Sequence, residues 1–360
     1  QQNESDGYID NAFLGRDDTN GYDEMSVRAT VEFALSGGSA YSLTAFYFDS
    51  ENGYDAFSLD NNRSTLSDAP GHDNQESIAL SGRADWQLND LQSLELITSW
   101  LESDSSYGFD EDWTFTEICD GTLCDPVFDF FSNTDNYLRD RTEVSGDLRL
   151  LGRTQGSSLE YVFGLYAQQR DEDLHREYYG DFFSGYSTER QAIYGQIEMP
   201  LADRIVLITG LRYERFNDSY SDSLNSQLAS DDSLQSGEST LTYQASDRTL
   251  LYATLSRGDK AGGVNTKAKA SLPLMQPVFQ DFIKPRLWVD TETLLSREFG
   301  LKGNYIDGRL DLRSAVFHMD RDGAQLESWV WDSVNYLWIG FLDNVDGSNW
   351  GAEIEFNFRF

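Results

Sequence analysis

Positive charge is scarce in this sequence. Only 27 lysines and arginines stand against 62 aspartates and glutamates in 360 residues, a formal net charge of -35. That balance excludes a nucleic-acid binder, which needs a basic footprint. It also argues against a protein lying on anionic lipid, where a polybasic face is expected. Long apolar runs are missing as well: no stretch reaches the ~18 residues of a transmembrane helix. Proline occurs only 6 times and cysteine twice. The 3 histidines are His72, His175 and His318. Ser314 and His318 share a strand face but stand too far apart for a direct hydrogen bond, so no nucleophile pair and no enzyme chemistry is expected. Gln1-Gln2-Asn3-Glu4 lacks the basic start and apolar core of a signal peptide, so an exported protein would be a mature or excerpted chain.

What is abundant is aromatic and glycine residues, 14% and 29 residues respectively, in a pattern of period two. Ile78, Leu80, Gly82, Ala84, Trp86 and Leu88 alternate with Ser77, Ser81, Arg83, Asp85 and Gln87. Ala352, Ile354, Phe356, Phe358 and Phe360 alternate with Glu353, Glu355, Asn357 and Arg359. Such alternation marks strands with one apolar and one polar face. It predicts about fourteen strands, the remaining ones near residues 8–15, 27–33, 41–51, 93–107, 142–150, 158–174, 188–200, 204–216, 234–246, 249–260, 292–306 and 308–320. Short connections such as Ala202-Asp203 and Asp247-Arg248 alternate with long polar ones near 52–75, 108–135, 175–187, 217–233, 261–291 and 321–348. A soluble sandwich gives no reason for that parity. An antiparallel transmembrane β-barrel does, with short periplasmic turns, long extracellular loops and lipid against the phenylalanines. The expectation is one all-β barrel over residues 1–360 in a bacterial outer membrane, either a whole barrel closed by residues 8–15 pairing against 351–360 or a section of a larger barrel.

Several side chains are candidates for function. Trp113, Phe115 and Phe130 in one loop, with Trp329, Trp331, Tyr336 and Trp338 in another, either form a ligand-binding surface or serve as girdle and loop packing. Glu143, Asp147, Glu353 and Glu355 fall on the polar face, where lumen acids would favour cations. Cys119 and Cys124 read as a small disulfide ring in an exported loop, with a metal pair as the alternative. No cofactor is expected. Asp110, Glu111, Asp112 and Asp120 could hold a divalent cation, but lack the spacing of a dedicated calcium loop and read as a solvated acidic loop. The glycines after Arg257 do not form a phosphate loop, because Lys260 precedes the later glycines and no helix follows.

Leu250 to Asn265 contains Tyr-Ala-Thr-Leu-Ser-Arg-Gly-Asp-Lys-Ala-Gly-Gly-Val-Asn, which resembles a stretch of the barrel in TonB-dependent outer-membrane receptors. Thr209 to Glu214, Glu298 to Gly303, Leu310 to Asp320 and Gly351 to Glu355 are similar to further motifs of that family, in its order. Asn52 to Phe57 and Tyr137 to Arg141 agree in style. The resemblance implies a large barrel that takes up a small-molecule ligand such as a ferric siderophore, set among outer-membrane lipid and lipopolysaccharide. The TonB complex enters as a partner only where a plug is present. No TonB box or plug-sized domain is recognisable, and about fourteen strands fall short of the family's roughly twenty-two. Alternative readings are a plugless cation-preferring channel and a surface adhesive barrel.

Overall fold

The structure, a computed structural model, describes residues 1–35, 37–115, 118, 133–156, 158–272, 275–334 and 337–360. After the short strands β1 (Gln2–Ser5) and β2 (Asp10–Asn11), β3 (Tyr22–Leu35) and β4 (Ser39–Tyr54) make the first long hairpin. The two-residue β5 (Ser64–Thr65) precedes β6 (Gly71–Asn89) and β7 (Gln92–Asp110). Then come β8 (Thr134–Arg153), β9 (Glu160–Glu177), β10 (Asp181–Ala202), β11 (Ile205–Asp222), β12 (Gln227–Ser246) and β13 (Thr249–Lys260). One connection holds β14 (Gly263–Val264), α1 (Thr266–Ser271), α2 (Pro277–Ile283) and β15 (Trp288–Val289). The last three strands are β16 (Glu292–Tyr305), β17 (Leu310–Asp332) and β18 (Leu337–Phe358).

Fourteen of these strands form a single sheet in the order β1-β3-β4-β6-β7-β8-β9-β10-β11-β12-β13-β16-β17-β18, antiparallel throughout. Sequential order without crossovers is what tight hairpin turns impose. The first expected strand is a correction. Residues near 8–15 do not join the sheet; Asp10 and Asn11 pair in parallel with Ser64 and Thr65. Asp55 holds them there, accepting hydrogen bonds from Asn11 Nδ2, Thr19 Oγ1 and Thr65 Oγ1. Gln2–Ser5 lies beside β3 instead. The expected pairing of 8–15 with 351–360 is therefore replaced, and among the described residues no ladder links β1 to β18.

Short turns such as Asp90-Leu91, Asp203-Arg204 and Asp247-Arg248 lie at one end of the sheet. At the other end β4 and β6, β7 and β8, and β13 and β16 are separated by long stretches of sequence. The loops expected near 175–187, 217–233 and 321–348 are a second correction, because strands run through them. Residues 178–180 and 223–226 are left as tips, and β17 runs on to Asp332 before β18 starts at Leu337. The reason is chemical. Above the apolar zone β9 presents Asp171, Asp173, His175 and Glu177 on one side and Arg170, Glu172 and Arg176 on the other. Polar residues on both faces erase the period-two signal, while the backbone ladder to β10 continues to Glu177. Tyr179 (φ 49°) and Gly180 (φ 136°) then turn the chain in left-handed geometry.

The principal buried apolar cluster lies within the third long connection. Ala268, Met275, Ile283 and Leu287 pack there against Ile339 and Phe341 of β18. Asn265 fastens it, Nδ2 donating to the carbonyls of Arg286 and Leu342. Smaller buried spots occur on the sheet at Phe216, Tyr220 and Leu234, while many of its other apolar side chains are exposed.

Candidate functional site

The register sorts the sheet into two faces. On one, Val27, Val31 and Phe33 stand beside Tyr47, Leu43 and Tyr41. Farther round, Leu148 meets Leu96 and Leu165, and Ile193 meets Leu165 and Tyr213. At the last hairpin Leu310, Leu312 and Val316 meet Phe358, Phe356 and Ala352. These side chains are open to the surroundings: Leu211 is 75% exposed, Ile354 74% and Phe356 71%. An apolar band that crosses strand after strand while the other face stays polar is the pattern of a lipid-facing barrel wall.

The polar face carries paired charge. Arg149 donates to Asp147 at 2.6 Å and to Glu95 at 3.2 Å, and Arg83 reaches the same Glu95 at 2.5 Å. Arg141 holds Glu143 at 2.5 Å and Arg170 holds Glu172 at 2.9 Å. Arg212 and Arg190 share Glu214 at 2.5 and 3.6 Å, and Arg176 forks onto Asp135 with two bonds of 2.7 Å. Tyr194 donates to Asp147 at 2.7 Å, and the Arg212 guanidinium lies 5.1 Å from the Tyr166 ring and 5.6 Å from that of Tyr194. Arg149, Tyr166, Arg190, Tyr194, Arg212 and Glu238 line one open cavity of about 810 Å³.

The structure therefore places Glu143 and Asp147 on the polar face but not as free acids. Each is neutralised by an arginine two residues away, an i, i+2 spacing that puts both side chains on one side of a strand. Glu353 and Glu355 lie on the same face, with Glu355 3.8 Å from Arg313. The alternating Arg-x-Glu and Asp-x-Arg pairs were visible in the sequence, and weighing acids without their strand-face neighbours missed them.

Much of the surplus acid sits on the other face, beyond the apolar band. Asp49, Glu76, Asp104, Asp140 and Asp173 stand side by side on β4, β6, β7, β8 and β9. Only register brings them together, since each comes from a different hairpin arm.

The candidate aromatics divide. Trp113 stacks on Phe57 with centroids 4.7 Å apart, and Phe115 stacks on Phe13 at 4.4 Å. Both pack loop against loop. Trp331 and Trp338 face each other at 5.2 Å at the exposed tip of the β17–β18 hairpin, and Lys267 lies over Trp329. Among the described residues, each group makes its ring contacts within its own part of the fold. Phe130, Tyr336, Cys119, Cys124 and Asp120 lie outside the described residues.

Two places could hold a metal ion. His175, Glu177 and Asp181 bring one ligand atom each within 4.8 Å at the β9–β10 tip, with His175 Nε2 2.9 Å from Asp181. The other is the end of β7. Asp110 was expected in a solvated loop and is instead buried, as is Thr114, at 5% and 4% exposure. Burial pushes the Asp110 carboxyl up to about 7; the Ser67 hydroxyl opposes that rise and the Asp112 carboxyl adds to it.

Comparison with known proteins matches this geometry. The sequence pattern described as "TonB dependent receptor-like, beta-barrel" matches residues 5–360. The ferric yersiniabactin uptake receptor FyuA of Yersinia pestis superposes with a TM-score of 0.75 at 18% identity, over 100% of this chain and 53% of that one. The copper transporter OprC gives 0.74 at 16% identity, over 99% and 53%. BauA, the ferric preacinetobactin receptor of Acinetobacter baumannii, gives 0.66 at 15%, over 99% and 53%. The chain thus spans about half the length of these solved proteins. No curated protein sequence matches.

Proposed function

The chain belongs to the TonB-dependent receptor β-barrel family, and from that premise we propose that it forms the ligand-conducting wall of an outer-membrane uptake receptor for a ferric siderophore. The observation that carries this reading is the inner-face group of Arg149, Arg190 and Arg212 with Tyr166 and Tyr194 around one cavity. Guanidinium forks and phenols suit the oxygen-rich periphery of an iron chelate. Their carboxylate partners keep the wall close to neutral, so the large acid surplus of the chain does not repel an anionic ligand there. FyuA and BauA, both named as receptors for ferric siderophores, share the fold and support the same class of ligand. Where a plug accompanies the barrel, the TonB complex would supply the energy for uptake.

The test is equilibrium binding of ferric carboxylate, catecholate and hydroxamate siderophores to the full-length protein, with Arg212→Ala and Arg149→Ala beside it. One class should bind, and each substitution should weaken it by about 1.5–3 kcal/mol, the range for hydrogen bonds to charged groups. Binding of none of the three classes would sink the proposal.

A further inference from the structure

Asp110, Asp112 and Thr114 occupy alternate positions in the bend that follows β7. Asp112 N donates to Asp110 Oδ1 at 3.2 Å, and Asn133 N donates to Asp112 Oδ1 at 3.3 Å. Among the described residues, the remaining oxygens, Asp110 Oδ2, Asp112 Oδ2 and Thr114 Oγ1, are buried without a hydrogen-bond partner. Both ends of the bend touch one turn of the neighbouring connection. The Ser67 hydroxyl bears on Asp110, and Asp68 N donates to the Thr114 carbonyl at 3.0 Å. Among the described residues, the ionisable group that bears on Asp110 is the Asp112 carboxyl.

Three orphaned oxygens in one bend are costly, since each buried acceptor without a donor costs about 1–3 kcal/mol. We propose that Asp110, Asp112 and Thr114 bind a calcium-class divalent cation, which clamps the end of β7 to the 55–70 connection. The donor set is oxygen only, which suits a hard cation and not zinc or copper, whose sites draw on nitrogen and sulfur. Calcium accepts irregular geometry where magnesium demands a near-ideal octahedron. The ion would fix Trp113 on Phe57 and Phe115 on Phe13, ordering that rim of the barrel whatever ligand the barrel takes.

The experiment is calcium titration of the chelator-stripped full-length protein by calorimetry, followed by terbium luminescence excited through tryptophan. One site per chain should saturate below about 1 mM calcium. Asp110→Asn and Asp112→Asn should each weaken it about tenfold or more. Glu111→Gln lies in the same bend, but its carboxylate is engaged by Tyr178 and Asn133, so it should keep the parent affinity. Trp113→Phe should lose most of the terbium emission while keeping calcium affinity. No saturable binding, parent affinity in either asparagine variant, a comparable loss in Glu111→Gln, or undiminished emission in Trp113→Phe would each overturn the site.

Discussion

Tyr194 of β10 donates its phenolic hydrogen to Asp147 of β8 at 2.7 Å, passing over Gly164 of the strand between them. The glycine is what makes the bond possible, because a Cβ at 164 would run into the Tyr194 ring. Tyr252 lies over Gly300 in the same way and donates to Glu298 at 2.5 Å. Gly164→Ala should therefore displace the ring, break the bond to Asp147 and destabilise the barrel by about 1–3 kcal/mol, the usual penalty for overpacking. Urea unfolding in detergent measures it. Gly146→Ala is the control, since a Cβ there meets nothing within 4 Å and the midpoint should barely move.

The two faces make opposite predictions for charge. Leu211→Arg puts a guanidinium on the apolar face and should cost about 2–4 kcal/mol near the bilayer midplane. Thr240→Arg, on the polar face beside Thr254, should be nearly neutral. Unfolding from lipid vesicles compares them, and equal costs would mean that the faces are not lipid and water.

The acid row predicts a gain from losing charge. Like charges directly opposite on neighbouring strands are destabilising, and Asp104 has Glu76 on one side and Asp140 on the other. Asp104→Asn should raise stability by about 0.2–1 kcal/mol. The gain should shrink as salt screens the exposed row. Unfolding midpoints at low and high salt test both statements.

Trp113 and Phe57 should prove energetically coupled. The single alanine substitutions and their double form a cycle whose interaction energy should reach about 0.5–1.5 kcal/mol, as for other stacked aromatic pairs. A value near zero would return Trp113 to the pool of free ligand-binding aromatics.

Where apolar residues alternate, the sequence was enough. Ile78 to Leu88 and Gly351 to Phe358 read directly as β6 and β18, and the face of each residue followed from parity. Legibility stopped where lipid contact stops. Residues 175–177, 181–187 and 217–222 are strand held by backbone ladders, with no sustained apolar alternation to announce them. Gln2–Ser5 was missed for a related reason: four polar residues carry no period, and their place is set by β3. Of the candidate site, Glu143 and Asp147 were placed on the right face with the wrong electrostatics. The burial of Asp110 depends on Ser67 and Asp68, more than forty residues earlier, and no local pattern reveals it.

The central claim is that the apolar face meets lipid and the arginine–tyrosine face meets water. It is tested most directly by introducing single cysteines in turn over residues 207–216 of β11, in the full-length protein with Cys119 and Cys124 replaced by serine. Each position is then probed in vesicles with a lipid-soluble and a water-soluble thiol reagent. The account predicts strict alternation, with Leu207, Leu211 and Tyr213 reached from lipid and Ile208, Arg212 and Glu214 from water. The opposite phase, or no alternation at all, would contradict it.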